Sequence, residues 1–234
     1  MRVEPMGVGS VAHVIKRGAR GLKIVRDEPD RRRFVSSLFL LNDTHYDANW
    51  LQSIRGLPFL ARPEHWPERE PLVHILAWTL VPNHFHLLVQ EIRRGGTAKF
   101  MQRLCGSMTM TANNKYQESG SLFQGSYKSK TVKEDRHLRY LAFYIQVKNV
   151  LEQYPGGLAN AIKNFDQAWK WATQFSYSSL GAYTKETESP IIESELLAKL
   201  FPDTRAFKRE AKEMLLLHIT RHEEEFGNLL LEPY

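Results

Sequence analysis

Apolar and polar residues alternate along the first 150 residues in a way that predicts a sequence of strands and helices. Runs of β-favouring apolar residues predict strands at VAHVIK (11–16), LVHILAWTL (72–80), HFHLLVQ (84–90) and a segment that ends near Val132. Apolar residues at helical spacing predict helices over residues 29–41, 97–116 and 134–154. The turn VPN (81–83) joins the second and third strands in a hairpin.

This order of elements predicts an α+β fold with a ferredoxin-like βαββαβ antiparallel sheet and a following helix. Two helices are expected to cover one face of the sheet, and the other face is left for a partner or for the last helix. Residues 43–70 are long for a connection and are interpreted as an insertion loop. The predicted organisation is a catalytic domain over residues 1–155 and a helical C-terminal extension over residues 156–234.

Composition and charge narrow the partners of the chain. The 234 residues contain one cysteine, and neither a signal peptide nor a run long enough to span a bilayer is visible, so we expect a cytoplasmic protein with no membrane partner. Residues 1–150 hold 23 Lys/Arg against 13 Asp/Glu, a net +10, whereas residues 151–234 have a net charge of −4. Basic charge concentrated in one part of a chain favours a polyanionic partner, although a solvated basic surface has the same composition.

Two histidines one residue apart, His84 and His86, are the strongest chemical signal. Side chains of a strand alternate, so both imidazoles lie on one face, while Phe85, Leu87 and Val89 point to the other. Two imidazoles on one face can bind one divalent cation. Ordinary histidines of a sheet would give the same spacing, so the motif alone leaves both interpretations open.

Several further segments share the features of one family. The segments HVIKRGARGLKIVRDEPDRRRF, PNHFHLLV, AKFMQRLCGSMTMTANNKY, GSLFQGSYKSKTV and RYLAFYIQVKNV, with a weaker FSYSSLGAY, span residues 11–183. As a set they resemble the single-tyrosine HUH transposases, and within them the branch of REP-associated tyrosine transposases. Residues 43–70 are longer than this resemblance predicts, and the last fifty residues have no counterpart in it.

The resemblance implies an enzyme that cleaves single-stranded or hairpin DNA at specific sites and transfers the strand through a 5′-phosphotyrosine intermediate. It implies that Tyr144 is the nucleophile, with Tyr140, four residues earlier on the same helix face, as the runner-up. It also implies that His84 and His86 hold Mg²⁺ or Mn²⁺. A phenol has a pKa of about 10, so a metal that polarises the phosphate would help the attack.

The tyrosine segment departs from the family pattern at one position. The family commonly reads Tyr-Ile-x-x-Asn-Pro-Val, with Asn or Gln four residues after the tyrosine, whereas this chain has Lys148 there. Gln146 and Asn149 are candidates for the third ligand, but in an α-helix they lie about 200° and 140° around the axis from Tyr144. A water ligand, a weak metal site, a shift of helix register, or a contact between Lys148 and the scissile phosphate are the alternatives.

Basic residues near the strands are candidates for contact with DNA. We expect this role from Lys16, Arg17, Arg20, Lys23, Lys128, Lys130 and Lys148. The competing hypothesis is a non-catalytic nucleic-acid-binding protein on the same fold, which the departure at Lys148 favours. A phosphodiesterase that uses a metal and water would need more acidic ligands near the histidines. The sequence leaves open whether the chain acts as a monomer or a homodimer.

Overall fold

The computed structural model describes residues 6–184, 188–201 and 203–220 of the 234-residue chain, with side chains of the last helix as far as His218. The strands are β1 (Val11–Arg17), β2 (Val73–Val81), β3 (His84–Glu91) and β4 (Lys128–Val132). The helices of the first part are α1 (Glu28–Leu40), α2 (Trp50–Ser53), α3 (Gly96–Tyr116), α4 (Asp135–Phe143) and, after a π-helical turn Tyr144–Lys148, α5 (Asn149–Leu151). The second part contains α6 (Gly157–Lys163), α7 (Phe165–Thr173), α8 (Leu180–Tyr183), α9 (Glu195–Leu200) and α10 (Thr204–Thr220).

The four strands form one antiparallel sheet in the order β2-β3-β1-β4. With α1 between β1 and β2, and α3 between β3 and β4, this is the split βαβ arrangement, so the predicted ferredoxin-like fold is confirmed. None of the helices within the described ranges has the length and apolar character that crossing a bilayer requires.

Helices α1 and α3 cover one face of the sheet. Phe85, Leu87 and Val89 of β3 are fully buried there, in a core shared with Phe34 of α1 and Phe100 of α3. The alternation of β3 therefore places its apolar set under the helices, as predicted.

The opposite face, which we call the histidine face, is covered by helices of this chain. Leu88 of β3 shares a second core with α4, the π turn, α7 and α10. Of the two alternatives stated for this face, a partner or the last helix, helices of this chain cover it, and His86 beneath them is fully buried. Amphipathic helices after residue 155 bury their apolar sides on this face.

The domain boundary at residue 155 remains a prediction. Residues from both sides of it contribute to this second core. Residues 185–187, 202 and 221–234 of the predicted extension lie outside the described residues.

The predicted insertion, residues 43–70, packs against the body of the protein. It contains the short helix α2, and Trp50 and Trp66 are buried in the first core. Arg62 and Asp43 form an ion pair of 2.6 Å within this segment.

Candidate active site

His84 and His86 lie at the start of β3, directly after the turn at Pro82 and Asn83. Their ring centroids are 4.8 Å apart and the rings are nearly perpendicular, at 74°. Asn83 Oδ1 lies 2.7 Å from His84 Nδ1. An amide oxygen only accepts hydrogen bonds, so this contact favours the tautomer of His84 with its proton on Nδ1 and a lone pair on Nε2.

A third histidine, His13 of β1, completes the buried imidazole group. His13 Nε2 lies 2.9 Å from His86 Nδ1, and the two rings are nearly parallel, at 17°, with centroids 5.2 Å apart. Both side chains are 0% exposed. The sequence analysis missed His13. Strand periodicity could have indicated it, because His13 lies on the same face of β1 as Arg17, four residues later.

Burial controls the electrostatics of His86. Desolvation lowers its pKa well below 6.5, and the neighbouring His13, His84, Lys148 and Arg17 lower it further. His86 is therefore a neutral imidazole, which is the form that binds metal ions.

Tyr144 lies beside this histidine group. Its ring centroid is 5.6 Å from that of His86 and 6.3 Å from that of His13, and both contacts are edge-to-face. Tyr140, one turn earlier, points to α10, where its hydroxyl lies 3.0 Å from Nδ1 of His218. Burial raises the pKa of Tyr140, which makes its phenol a poorer source of phenolate. Among the two candidate tyrosines, the structure thus brings Tyr144 to the histidines.

Tyr144 begins the π-helical turn, which changes the register of the helix. The backbone N–H of Asn149 donates to the carbonyl of Tyr144, five residues earlier, instead of to that of Ile145. The hydroxyl of Thr79, on β2 opposite His86, donates to the Ile145 carbonyl. A side chain of the sheet therefore satisfies a carbonyl that a regular α-helix would bond internally.

The wider turn alters the positions predicted for the residues after Tyr144. A residue five positions later now lies about one turn below Tyr144, so Asn149 is closer to the tyrosine side than α-helical geometry gave. Lys148 places its ammonium 4.8 Å from the centroid of the Tyr144 ring and forms a 2.7 Å ion pair with Glu152. Gln146 and Asn149 are buried, and Oε1 of Gln146 and Nδ2 of Asn149 have no hydrogen-bond partner in the described part of the chain.

The residues present fit a divalent cation held by two imidazoles and an amide. Within the described ranges, no three His, Cys, Asp or Glu side chains gather in a way that could hold a metal ion. His84 and His86 would offer two neighbouring imidazole nitrogens to such a cation, and the unpartnered buried oxygen of Gln146, or the amide of Asn149, is of the chemical type that would complete them.

The strand register sorts the predicted DNA-binding residues by face. Arg17 pairs with His84 across β1 and β3, and Lys130 pairs with His13 across β1 and β4, so these residues share the histidine face. Lys128, which pairs with Ile15, shares it as well and is exposed. Arg20 and Lys23 are exposed on the turn after β1.

Lys16 faces the opposite way and is buried. Its ammonium donates to the Gly125 carbonyl and lies 5.5 Å from the centroid of the Phe123 ring, and burial lowers its pKa. In this structure Lys16 fastens the segment before β4 to β1, a position away from the surface that a DNA strand would follow.

Helix α10 supplies a second residue that the sequence did not indicate. His218 contacts Tyr140, and its ring centroid is 6.2 Å from that of Tyr144. Tyr144 is 2% exposed beneath this cover. No short motif precedes His218, so sequence spacing gave no signal for this contact.

Comparison with known proteins gives one family. Residues 68–148, which include both sheet histidines and Tyr144, match the model of the family described as "Transposase IS200 like". Over these residues the chain is similar to the IS200-like transposases. The prediction of a single-tyrosine transposase relationship is therefore confirmed for the region that carries the candidate site.

A solved structure described as "Structure of the REP associates tyrosine transposase bound to a REP hairpin" is similar to this chain, with 12% identity and a TM-score of 0.45. The similarity covers 82% of this chain and 88% of that one. No curated protein matches the chain.

Proposed function

We propose that this protein is an IS200-like transposase that cleaves and rejoins single-stranded DNA at specific sites or hairpins, with Tyr144 as the nucleophile. The observation that carries the proposal is the contact between the Tyr144 ring and His86, at 5.6 Å between centroids. This contact puts a phenol next to one imidazole of the motif, and the His84 ring lies 4.8 Å from that imidazole, which supports the arrangement that the family resemblance implies for attack on a phosphodiester.

The reaction conserves the phosphoester bond. The Tyr144 oxygen forms a bond to the phosphorus, the bond from phosphorus to the 3′ oxygen breaks, and that oxygen leaves with a proton as a free 3′-hydroxyl. The DNA stays attached through a 5′-phosphotyrosine. A 3′-hydroxyl can later attack this phosphorus and release the tyrosine, so rejoining needs no nucleotide cofactor.

His84 and His86 would hold the divalent cation, Mg²⁺ or Mn²⁺, and the third ligand would come from Asn149 or Gln146. The π turn supports Asn149, because it shifts this residue toward the position that an Asn four residues after the tyrosine has in an unbroken helix. The unpartnered buried Oε1 supports Gln146. When bound, the cation supplies positive charge that offsets the charge developing on the phosphate.

Arg17, Lys128 and Lys130 would bind the DNA backbone along the histidine face, since they share it with the histidines. Arg20 and Lys23 would extend this surface past the end of β1. Lys148, which lies on the Tyr144 ring, would contact the scissile phosphate after it leaves Glu152.

Access to Tyr144 requires movement, because the residue is 2% exposed beneath α10. We infer that DNA binding is accompanied by displacement of the His218 end of α10. The nucleophile and the histidines come from one chain, so a homodimer is not needed to assemble them, although the proposal is compatible with one.

The alternative function is a non-catalytic DNA-binding protein on the same fold. The burial of both tyrosines and the pairing of Lys148 with Glu152 favour this alternative. A covalent adduct assay separates the two functions, because a binding protein forms no bond to DNA.

The test incubates the full-length protein with labelled single-stranded hairpin DNA and Mn²⁺ and resolves the products on a denaturing gel. The enzyme hypothesis expects an adduct with wild type and with Tyr140→Phe, and no adduct with Tyr144→Phe. Loss of the adduct in Tyr140→Phe with retention in Tyr144→Phe would identify the other nucleophile. Tight binding without an adduct in any variant would support the binding protein.

A further inference from the structure

We propose that His13 is a positioning residue that fixes the tautomer and the ring angle of His86. The inference rests on the proposed function, in which His86 binds a metal ion. His13 lies on β1, outside the segment that matches the family model, and it touches His86 from the neighbouring strand.

One proton lies in the hydrogen bond between the two rings, and it is carried either by His13 Nε2 or by His86 Nδ1. If His13 Nε2 carries it, His86 Nδ1 accepts, and neutral His86 then has its own proton on Nε2 and cannot ligate through that atom. If His86 Nδ1 carries it, His13 Nε2 accepts, and His86 Nε2 presents a lone pair. His86 acts as a metal ligand through Nε2 only in the second arrangement.

The neighbouring His84 has the same tautomer that the second arrangement gives to His86. Its Nδ1 lies 2.7 Å from an amide oxygen of Asn83, which accepts and does not donate. Both histidines of the motif then have the same tautomer, with Nδ1 bonded to a protein acceptor and Nε2 as the ligating atom. Hydrogen bonds of this kind to the second ring nitrogen orient metal-binding histidines and raise their basicity.

Packing restricts the ring angle as well. The His13 and His86 rings are nearly parallel, at 17°, as a hydrogen bond in the ring planes requires, and the His13 and Tyr144 rings meet edge-to-face. Both histidine side chains are 0% exposed, and in such an environment an unbonded imidazole would be costly. A single side chain thus sets the orientation of His86 relative to Tyr144.

The first measurement needs no variant. Long-range ¹H–¹⁵N spectra of the imidazoles in the metal-free, full-length protein distinguish a protonated from a bare nitrogen. We expect His86 with Nδ1 protonated and Nε2 bare. A His86 ring with its proton on Nε2 would overturn the proposal, whatever the outcome of the adduct assay.

The second measurement is Mn²⁺ affinity of the full-length protein by titration calorimetry. His13→Phe keeps the ring volume and removes the acceptor, and we expect it to weaken binding by about 10- to 100-fold. His13→Gln places an amide oxygen near the position of Nε2 and should recover most of that loss. His74→Phe, on β2 at the far end of the sheet opposite Gln90, is the matched control and should have no effect.

Mn²⁺ affinity of His13→Phe within twofold of wild type would overturn the proposal, and so would a wild-type protein that binds no Mn²⁺. Affinity that depends on His13, in a protein that forms no DNA adduct, would support the proposal and reject the catalytic function instead.

Discussion

The two faces of the sheet use the same strands for opposite purposes. On the face of α1 and α3, Phe85 and Leu87 are packed in a dry apolar core. One residue along β3, on the histidine face, His86 is equally buried but lies against His13 and Tyr144. The period of two that makes a hydrophobic core on one side also aligns the polar groups on the other.

The comparison shows how differently the two faces depend on tertiary structure. The apolar face requires only side chains of a suitable size. Its two helices lie there because the split βαβ order puts them on one side of the sheet. The histidine face needs named partners from distant parts of the chain: His13 from β1, Thr79 from β2 and His218 from α10. Substitutions on the two faces should therefore separate stability from chemistry.

The largest expected effect is the loss of DNA cleavage when a histidine of the histidine face is replaced. His86→Ala or His84→Ala should lower the rate of adduct formation on the order of 100-fold or more, because each removes a nitrogen that we propose as a metal ligand. The measurement is the initial rate of adduct formation with hairpin DNA and Mn²⁺. His74→Ala, on β2 at the far end of the sheet, is the control and should keep the rate. Equal rates in all three variants would show that the histidine pair has no part in the chemistry.

The second effect concerns the apolar face. Phe85→Ala should lower the free energy of unfolding by about 3–5 kcal/mol, because it opens a cavity between the sheet and the Phe34 ring, 5.1 Å away between centroids. Urea denaturation measures the change. At temperatures where the variant stays folded, Mn²⁺ affinity should remain that of wild type. A loss under 1 kcal/mol would contradict the packing described for this face.

The third effect concerns the π turn. Thr79→Val keeps the shape of the side chain but removes the donor to the Ile145 carbonyl, which leaves a buried acceptor unsatisfied. We expect a loss of about 1–3 kcal/mol in the free energy of unfolding. Thr173→Val is the matched control, since the Thr173 hydroxyl bonds a carbonyl of its own helix. If both variants lose the same small amount, the contact of Thr79 does not support the turn.

The smallest effects are expected in DNA affinity. Lys128→Gln and Lys130→Gln should each reduce the slope of log affinity against log salt by about 0.7, the contribution of one phosphate contact on single-stranded DNA. Lys16→Met should leave the slope unchanged, because the Lys16 ammonium is bonded to the Gly125 carbonyl. Fluorescence anisotropy at several salt concentrations measures all three. A steeper loss in Lys16→Met would place the DNA on the other face.

The sequence predicted the element order, the sheet and the alternation of β3, because each depends on local periodicity. It also identified His84 and His86, and the two tyrosines, as candidates, because each pair lies within one short segment. It could not predict His13 and His218, because their roles come from contacts across 73 and 78 residues. Likewise, the turn at Tyr144–Lys148 reads as an ordinary helix, and its altered register depends on Thr79.

The central claim is that the Tyr144 oxygen forms the bond to DNA, and fragment-ion mass spectrometry of the adduct tests it most directly. Trypsin cleaves after Arg139 and Lys148, so both candidate tyrosines lie in one peptide, residues 140–148, and fragment ions must separate them. The account predicts that the phosphonucleotide mass is carried by fragments containing Tyr144 and lacking Tyr140. A modified Tyr140, or a modification elsewhere in the chain, would contradict it.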